Sequence, residues 1–325
     1  MREVEIGIND AGQRLDKFLF KAFPHLPAAM LYKAIRMKRI KVNRRRAGIG
    51  DKLRIGDVVT LYLPDDALAP MEPEHSYLLA GRGLDILYED ENILLLDKPE
   101  GLLSHPGEDD ESDTLIGRIT RYLAEKGAYS PQREQSFAPA LANRIDRNTG
   151  GIVLAAKNAA ALRALAEIIR LRRIRKYYLC LVHGAMPRGA GMLDGYLTKD
   201  AAAKRVTVLD HPASGAREIR TAYRVLMERD GISLLEVELL TGRTHQIRAH
   251  LASVGHPLVG DGKYAANKRD RQRGYKHQAL YAYRVEFAGA DGDGVLAYLR
   301  GRSFSAPKVW FAEEFISGQN AGNLV

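Results

Sequence analysis

The sequence is nearly without cysteine: among its 325 residues Cys180 stands alone. That excludes an internal disulfide and any cysteine-cluster metal site. No apolar run approaches the ~20 residues that cross a bilayer, so no membrane attachment is expected. The opening Met1-Arg2-Glu3-Val4-Glu5 lacks the apolar core of a secretory leader, which makes the cytoplasm the expected compartment. Internal repeats and low-complexity tracts are absent. So are a glycine-rich phosphate loop followed by Lys-Ser or Lys-Thr and a dinucleotide fingerprint after a strand. Cofactor chemistry therefore has no support, and no cofactor is expected. Histidine spacing also argues against a metal. His245 and His250 are five apart, which points them about 140° apart on a helix, unlike the i, i+4 pair of zinc metallopeptidases. His256 precedes Pro257 in a loop, and ordinary hydrogen bonding suits these histidines better than zinc.

What the chain does have is positive charge, unevenly distributed. With 46% hydrophobic and 27% charged residues it reads as an ordinary soluble globular protein. Its length exceeds the usual single domain, so two domains are expected. Of the net charge of +9, +8 falls in residues 1–64, where fourteen Lys or Arg face six Asp or Glu. A basic module joined to a nearly neutral body suggests a polyanion-binding unit serving a separate working domain. A solvated basic face would give the same count, so local arrangement has to decide. Nothing in the chain calls for an obligate protein partner, and a monomer is expected.

Within the basic module, Leu15, Phe18, Leu19 and Ala22 make one apolar helical stripe. After Pro24 and Pro27 a second helix is expected over Ala28 to Met37, with Leu31, Ala34 and Ile35 inward. Lys33, Arg36, Lys38 and Arg39 occupy its outer face and end. A short strand, Ile40-Lys41-Val42-Asn43, leads to the Arg44-Arg45-Arg46 turn, and Val58 to Leu63 closes the module as a strand. Ten basic residues and one acid, Asp51, fall between positions 33 and 54. Cations gathered on a helix end and the next turn suit a phosphate backbone. Base-reading aromatics are scarce, so shape and phosphate recognition are expected, through Arg14, Lys33, Arg36, Lys38, Arg39, Lys41, Arg44, Arg45 and Arg46. The order Arg14-Leu15-Asp16, basic helix, Lys41-Val42-Asn43, Gly56-Asp57-Val58 resembles the αL-type RNA-binding domain named after ribosomal small-subunit protein four. It departs where that domain usually has an Asn-Gly turn, because Arg44 follows Asn43.

Three prolines and three acids in Pro64 to Pro73 read as an extended, semi-rigid connector. The expected division is a basic domain over 1–64, a linker over 65–78 and a working domain over 79–325. In that last part, Ile86 to Glu89 and Ile93 to Asp97 read as a hairpin. Helices are expected around Leu115, Ile119 and Leu123 and around Ala161, Leu165 and Ile168, and strands at Ile152 to Ala156 and Tyr177 to Val182. Ile219 to Met227 and Leu235 to Leu239 alternate as strands do. Strands joined mostly by turns, with few helices between, argue for an α+β domain built on a mostly antiparallel mixed sheet.

Two segments could carry chemistry. Asn143 to Gly151 sets a single Asp146 between Arg144 and Arg147 on a polar turn running into an apolar strand. Alone, an Asp in a polar loop is a turn residue, but the flanking arginines suit phosphate and Gly150-Gly151 permits close approach. Leu240 to His250 offers Arg243 in a Thr-Gly-Arg turn before a helix whose inward stripe is Ile247, Leu251 and Val254, with Gly255 as a stop. A cation before a helix runs against the macrodipole, which points to a specific anion. An acid and a guanidinium far apart in sequence, each at an element's edge, are what a one-carboxylate site needs: the Arg orients the Asp and favours its anionic form. Tyr177 and Tyr178 adjoin on a strand and face opposite sides. Cys180, a lone thiol, reads as packing rather than a nucleophile.

These pieces, over residues 12 to 315, resemble the RluA-type pseudouridine synthase family. Asn143 to Gly151 is similar to its His-Arg-Leu-Asp-x-x-Thr-Ser/Thr-Gly segment, Lys176 to Gly184 to its Tyr-x-Ala-x-Val-x-Gly strand, and Leu240 to His250 to its Thr-Gly-Arg-x-His-Gln-Ile-Arg-x-His motif. Ile93 to Pro106 resembles the segment with Lys-Pro-x-Gly and His-Pro pairs. The resemblance implies Asp146 as the catalytic aspartate, Arg243 as its pairing arginine and Tyr178, counted back from Gly184, as the active-site tyrosine packing on an extruded base. Arg144 and Arg147 would join the RNA contacts. Departures are Asn143 for the usual His, Cys180 for Ala and Tyr281 for His. The implied reaction turns a uridine of structured RNA into its C-glycoside isomer with no cofactor or metal. The implied substrate is large-subunit (23S) ribosomal RNA, with transfer RNA the alternative. The runner-up class, a non-catalytic RNA-binding or ribosome-assembly factor, would not require Asp146, Tyr178 and Arg243 together, and a metal-dependent hydrolase is disfavoured by the histidine spacing.

Overall fold

A computed structural model of the chain describes residues 1–64, 66–68, 75–107, 113–187, 189–200, 205–288 and 294–318. Strand β1 (Arg2–Glu5) is followed by α1 (Leu15–Ala22), α2 (Ala28–Arg36), β2 (Ile40–Val42), β3 (Arg45–Arg46) and β4 (Val58–Leu61). The strands form an antiparallel sheet in the order β1-β4-β2-β3. Both helices bury the stripes read from their spacing, Leu15, Phe18, Leu19 and Ala22 in α1 and Leu31, Ala34 and Ile35 in α2. Their apolar faces close on Ile40, Val59 and Leu61 of the sheet. Between β2 and β3, Val42 pairs with Arg45 across a two-residue turn. Asn43 and Arg44 both take positive φ there, 51° and 63°, the conformation that favours Asn-Gly. Arg44 thus adopts the backbone of the glycine it replaces.

The connector read over 65–78 lies in part, at 65 and 69–74, outside the described residues. Ala67 and Leu68 are buried with the N-terminal core. A turn of 3-10 helix at His75–Leu79 ends under α3 (Leu115–Glu125), whose Arg121 Nη1 donates to the carbonyls of Leu78 and Ala80 at 2.9 and 2.6 Å.

The body contains β5 (Ile86–Glu89), β6 (Ile93–Lys98), β7 (Ala140–Leu141), β8 (Gly150–Ala156), α4 (Ala159–Arg170) and β9 (Ile174–His183). It continues with β10 (Ala190–Asp200), β11 (Arg205–Leu209), β12 (Arg217–Arg229), β13 (Ile232–Leu239), α5 (Gln246–Ser253), α6 (Lys268–Gln272), β14 (Leu280–Phe287), β15 (Ser303–Ser305) and α7 (Trp310–Ser317). Its sheet runs β11-β10-β12-β13-β9-β14-β8-β6-β5, with β15 against β14 and β7 against β8. Among the described strands β14–β8 is the one parallel pairing, so the sheet is mixed and mostly antiparallel. Strand β8 is buried along its whole length. Val153 and Ala155 face α3 and α5, while Ile152, Leu154 and Ala156 face α4, which explains an unbroken apolar run rather than an alternating one.

The β8–β14 contact is glycine-dependent. A Cβ on Gly150 would lie 2.4 Å from the Tyr281 ring, and one on Gly151, at φ +114°, would lie 2.3 Å from the Ala282 carbonyl oxygen. What approaches this pair closely is therefore β14 and its tyrosine. Residues 5–13 tie the N-terminal module to the body: Asn9 Nδ2 donates to Glu134 Oε1 at 2.8 Å, Gln13 Nε2 to Ser136 Oγ at 2.7 Å, and Gln135 Nε2 to the Glu5 carbonyl at 2.8 Å. Asn9 Oδ1 accepts from Ala159 N–H at the head of α4. No helix among the described residues is long and apolar enough to cross a membrane.

Candidate active site

The turn bearing Asp146 is pinned at three successive backbone carbonyls. Asp146 O accepts from Thr149 N–H at 3.1 Å, Ile145 O from Ser104 Oγ at 3.1 Å, and Arg147 O from both Gly101 N–H and Lys98 Nζ at 2.9 Å. Lys98 is fully buried, and its ammonium also donates to the Pro99 and Leu102 carbonyls at 2.8 Å. Burial pulls it down to about 8, against the raising influence of Glu100 and Asp146. Gln278 Nε2 reaches Thr149 Oγ1 at 3.2 Å. Asn143, standing where the family motif has His, accepts from Leu154 N–H at 2.8 Å. The turn is thus rigid before any substrate arrives.

The guanidinium that meets Asp146 is Arg248, not Arg243. Arg248 Nη1 lies 2.7 Å from Asp146 Oδ2, across 102 residues of sequence. Its Nε and Nη2 grip Asp261 bidentately at 2.8 and 2.9 Å. Burial opposes the charge on Arg248, yet hydrogen bonds and charges from Asp261 and Asp146 outweigh it and hold the guanidinium above the ordinary arginine range. Burial raises Asp261, but Arg248 outweighs that and keeps its carboxyl low. Arg243 is exposed at the rim of the same cavity, its backbone N–H donating to Gln246 Oε1 at 3.1 Å. The reason lies in α5. A helix expected to turn Ile247, Leu251 and Val254 inward instead buries Gln246, Arg248 and His250 as well, while Val254 is exposed. Gln246 Nε2 ties the Thr-Gly-Arg turn to Arg220 O at 3.0 Å and Thr221 Oγ1 at 3.1 Å, and His250 Nδ1 lies 3.0 Å from Thr221 Oγ1. The available signal was the place of Arg248 in the first helical turn, where a cation is disfavoured unless an acid meets it.

Asp146, Arg248, Tyr178, Arg243, Arg144 and Arg147 all line one cavity of about 620 Å³, within the range that holds a nucleotide-sized ligand. Tyr178 is buried, and burial together with the negative charge of Asp146 pushes its phenol far above the ordinary range. It stays a neutral donor or a stacking ring. Tyr177 faces the other side of β9, under the Arg284 guanidinium 4.0 Å from its ring centre. Cys180 lies in the core with its thiol pushed up by burial, a packing residue as its isolation suggested. Lys176, two residues before Tyr178 on the same face, also lines the cavity, and burial lowers its ammonium. His105 Nδ1 in the cavity wall is buried without a hydrogen-bond partner among the described residues. Burial, then Arg144, lowers this imidazole. Sequence reasoning missed Arg248, Asp261, Lys98 and Lys176.

Of the basic residues read as RNA contacts in the N-terminal module, Lys33, Arg36, Lys38, Arg39, Arg44, Arg45 and Arg46 are exposed. Lys41 lies with its ammonium 5.4 Å from the Tyr62 ring centre, and Arg14 is engaged by Asp16 at 2.9 Å. Arg144 is exposed on the cavity side, and Arg147 Nε donates to Gly101 O at 3.0 Å.

The RNA pseudouridylate synthase family model matches residues 92–253 and the S4 domain model residues 13–59. An uncharacterized RNA pseudouridine synthase of Mycoplasma pneumoniae is 33% identical over 310 residues, covering 92% of this chain and 93% of that protein. Ribosomal large subunit pseudouridine synthase C of Vibrio parahaemolyticus is 31% identical over 305 residues, 89% of each chain. Among solved structures, human RNA pseudouridylate synthase domain containing 1 matches with a TM-score of 0.55 and 21% identity, over 77% of this chain and 90% of that one.

Proposed function

The chain belongs to the RNA pseudouridylate synthase family, and we propose that it isomerises a uridine of large-subunit ribosomal RNA with Asp146 as its one catalytic carboxylate and no cofactor. That it is a pseudouridine synthase acting on RNA follows from the family; substrate and site are our reading. The observation carrying it is the Asp146–Arg248 contact in a nucleotide-sized cavity beside Tyr178. Extruding a base from its stack costs on the order of a few kcal/mol. Arg144, Arg147 and Arg243 around the cavity and the basic face of the S4 domain supply phosphate contacts that offset it.

In this reading Asp146 meets the sugar as an anion held by Arg248. The N-glycosidic bond between N1 and C1′ breaks, the uracil turns in the cavity, C5 bonds to C1′, and the proton that C5 loses is balanced by one gained at N1. Tyr178 packs on the base and, being a phenol at working pH, serves as a proton donor or relay late in the reaction rather than as a base. The substrate assignment draws on relatives named as large-subunit synthases, such as those of Vibrio parahaemolyticus and Nitrosomonas europaea. Pseudouridine mapping of cellular RNA with and without this protein tests it. Loss of one or more sites in 23S RNA is expected. Losses confined to transfer RNA would redirect the substrate, and an unchanged map would end the reading.

A further inference from the structure

Among the described residues, the hydrogen-bond and ion-pair partners of Asp146 meet one of its two oxygens. Arg248 Nη1 and His245 Nε2 both face Oδ2, at 2.7 and 3.8 Å, while Oδ1 has no partner among the described residues. His245 stands at the head of α5 with φ 53° and ψ 18°, the left-handed region, which residues with a β-carbon rarely adopt and which tends to persist where structure over-determines it. Its Nδ1 lies 2.9 Å from the Tyr264 hydroxyl oxygen, with the rings edge to face. That oxygen accepts from Val206 N–H at 3.2 Å, so its own hydrogen is available to Nδ1. An imidazole that accepts at Nδ1 carries its proton on Nε2, the nitrogen turned to Asp146. Burial, with Arg248 and Lys263, disfavours a second proton more than Asp146 and Asp261 favour it. The ring is therefore neutral near pH 7, and its tautomer matters.

We propose that Tyr264 and His245 are positioning residues for Asp146: the Tyr264 hydroxyl fixes His245 in its Nε2–H form, that N–H closes on Oδ2 when a nucleotide fills the cavity, and Oδ1 is left as the oxygen presented to the sugar. Such contacts commonly tighten only in the substrate complex, which accounts for the present 3.8 Å. The inference rests on the synthase reading.

Glutamine and asparagine separate the two ring nitrogens. The amide nitrogen of Gln reaches where Nε2 lies; that of Asn reaches only as far as Nδ1, and Asn tolerates the left-handed backbone. His245→Asn is expected to lower kcat by ~10–100-fold, the loss of a hydrogen bond to a charged group. KM and RNA affinity should stay within about threefold, and His245→Gln should recover most of the rate. Long-range 1H–15N spectra of the full-length protein should show His245 protonated at Nε2 at pH 7, and Tyr264→Phe should admit the other tautomer. An Nδ1-protonated ring beside normal wild-type turnover overturns the proposal alone. So does equal activity of the Asn and Gln variants, or a loss that falls on RNA affinity. Wild-type protein that converts no uridine removes the synthase reading and this proposal with it.

Discussion

At the scale of single residues, the site depends on who holds Asp146. Asp146→Asn keeps the shape and removes the charge; product formation should disappear in a tritium-release or mapping assay while RNA binding stays within about tenfold, because the phosphate contacts lie elsewhere. Arg248 and Arg243 should separate cleanly. Arg248→Met leaves Asp261, 1% exposed in its side chain, without its bidentate partner, and breaking such a buried pair costs about 3–5 kcal/mol; the melting temperature and the rate should both fall. Arg243→Met removes an exposed rim cation and should weaken RNA capture with little change in melting temperature. Equal thermal loss in both variants would contradict this assignment. That Asp146 and Tyr178 would line one cavity was legible from the family motifs that the chain resembles. Arg248 was not, because two arginines share one motif and only the burial of α5 tells which points inward.

Among elements, two features carry measurable consequences. Arg44 occupies the second position of the β2–β3 turn at φ 63°, where a residue with a β-carbon costs roughly 1–2 kcal/mol. Arg44→Gly should therefore raise the melting temperature while weakening RNA binding by removing one cation. A fall in stability would show that the side chain holds the turn. On β5, Glu89 receives Lys126 Nζ and Lys157 Nζ at 2.8 Å and Tyr122 OH at 2.7 Å, joining α3 to the β8–α4 junction. Burial would raise this carboxyl, but those partners outweigh it and bring it from 4.5 to about 2. A depressed carboxylate stabilises the fold above its unfolded value, and that contribution is lost as pH falls through the window from 4.5 to about 2. Glu89→Gln should lower stability at neutral pH and flatten its decline across that window, read by denaturant titration at each pH. Element types were legible where the stripe was strong, as in α1 to α4 and β8. The pattern of α5 misled because polar residues spaced as a solvent face can equally be a buried, fully paired one.

For the whole molecule, the S4 domain brings a row of exposed cations to a body that is nearly neutral. Reversing Arg44, Arg45 and Arg46 to Glu together should weaken RNA capture and shrink the slope of log affinity against log salt, by about 0.7–0.9 for each phosphate no longer neutralised. Unchanged affinity and slope would make the cluster a solvated face. The hydrogen bonds of Asn9 and Gln13 to Glu134 and Ser136 set that domain against the body. They were invisible in sequence because isolated polar side chains on loops carry no periodic signal.

Local chemistry, written in the chain itself, determined the two-module plan, the basic face, the mixed α+β sheet and the motif that carries Asp146, since charge count, side-chain period and turn residues act over a few positions. Tertiary structure alone decided which arginine meets that carboxylate, which lysine braces its turn and which of its oxygens those partners meet. Those choices depend on burial and on contacts across a hundred residues, and a polar side chain commits to a partner only when packing removes the water it would otherwise keep.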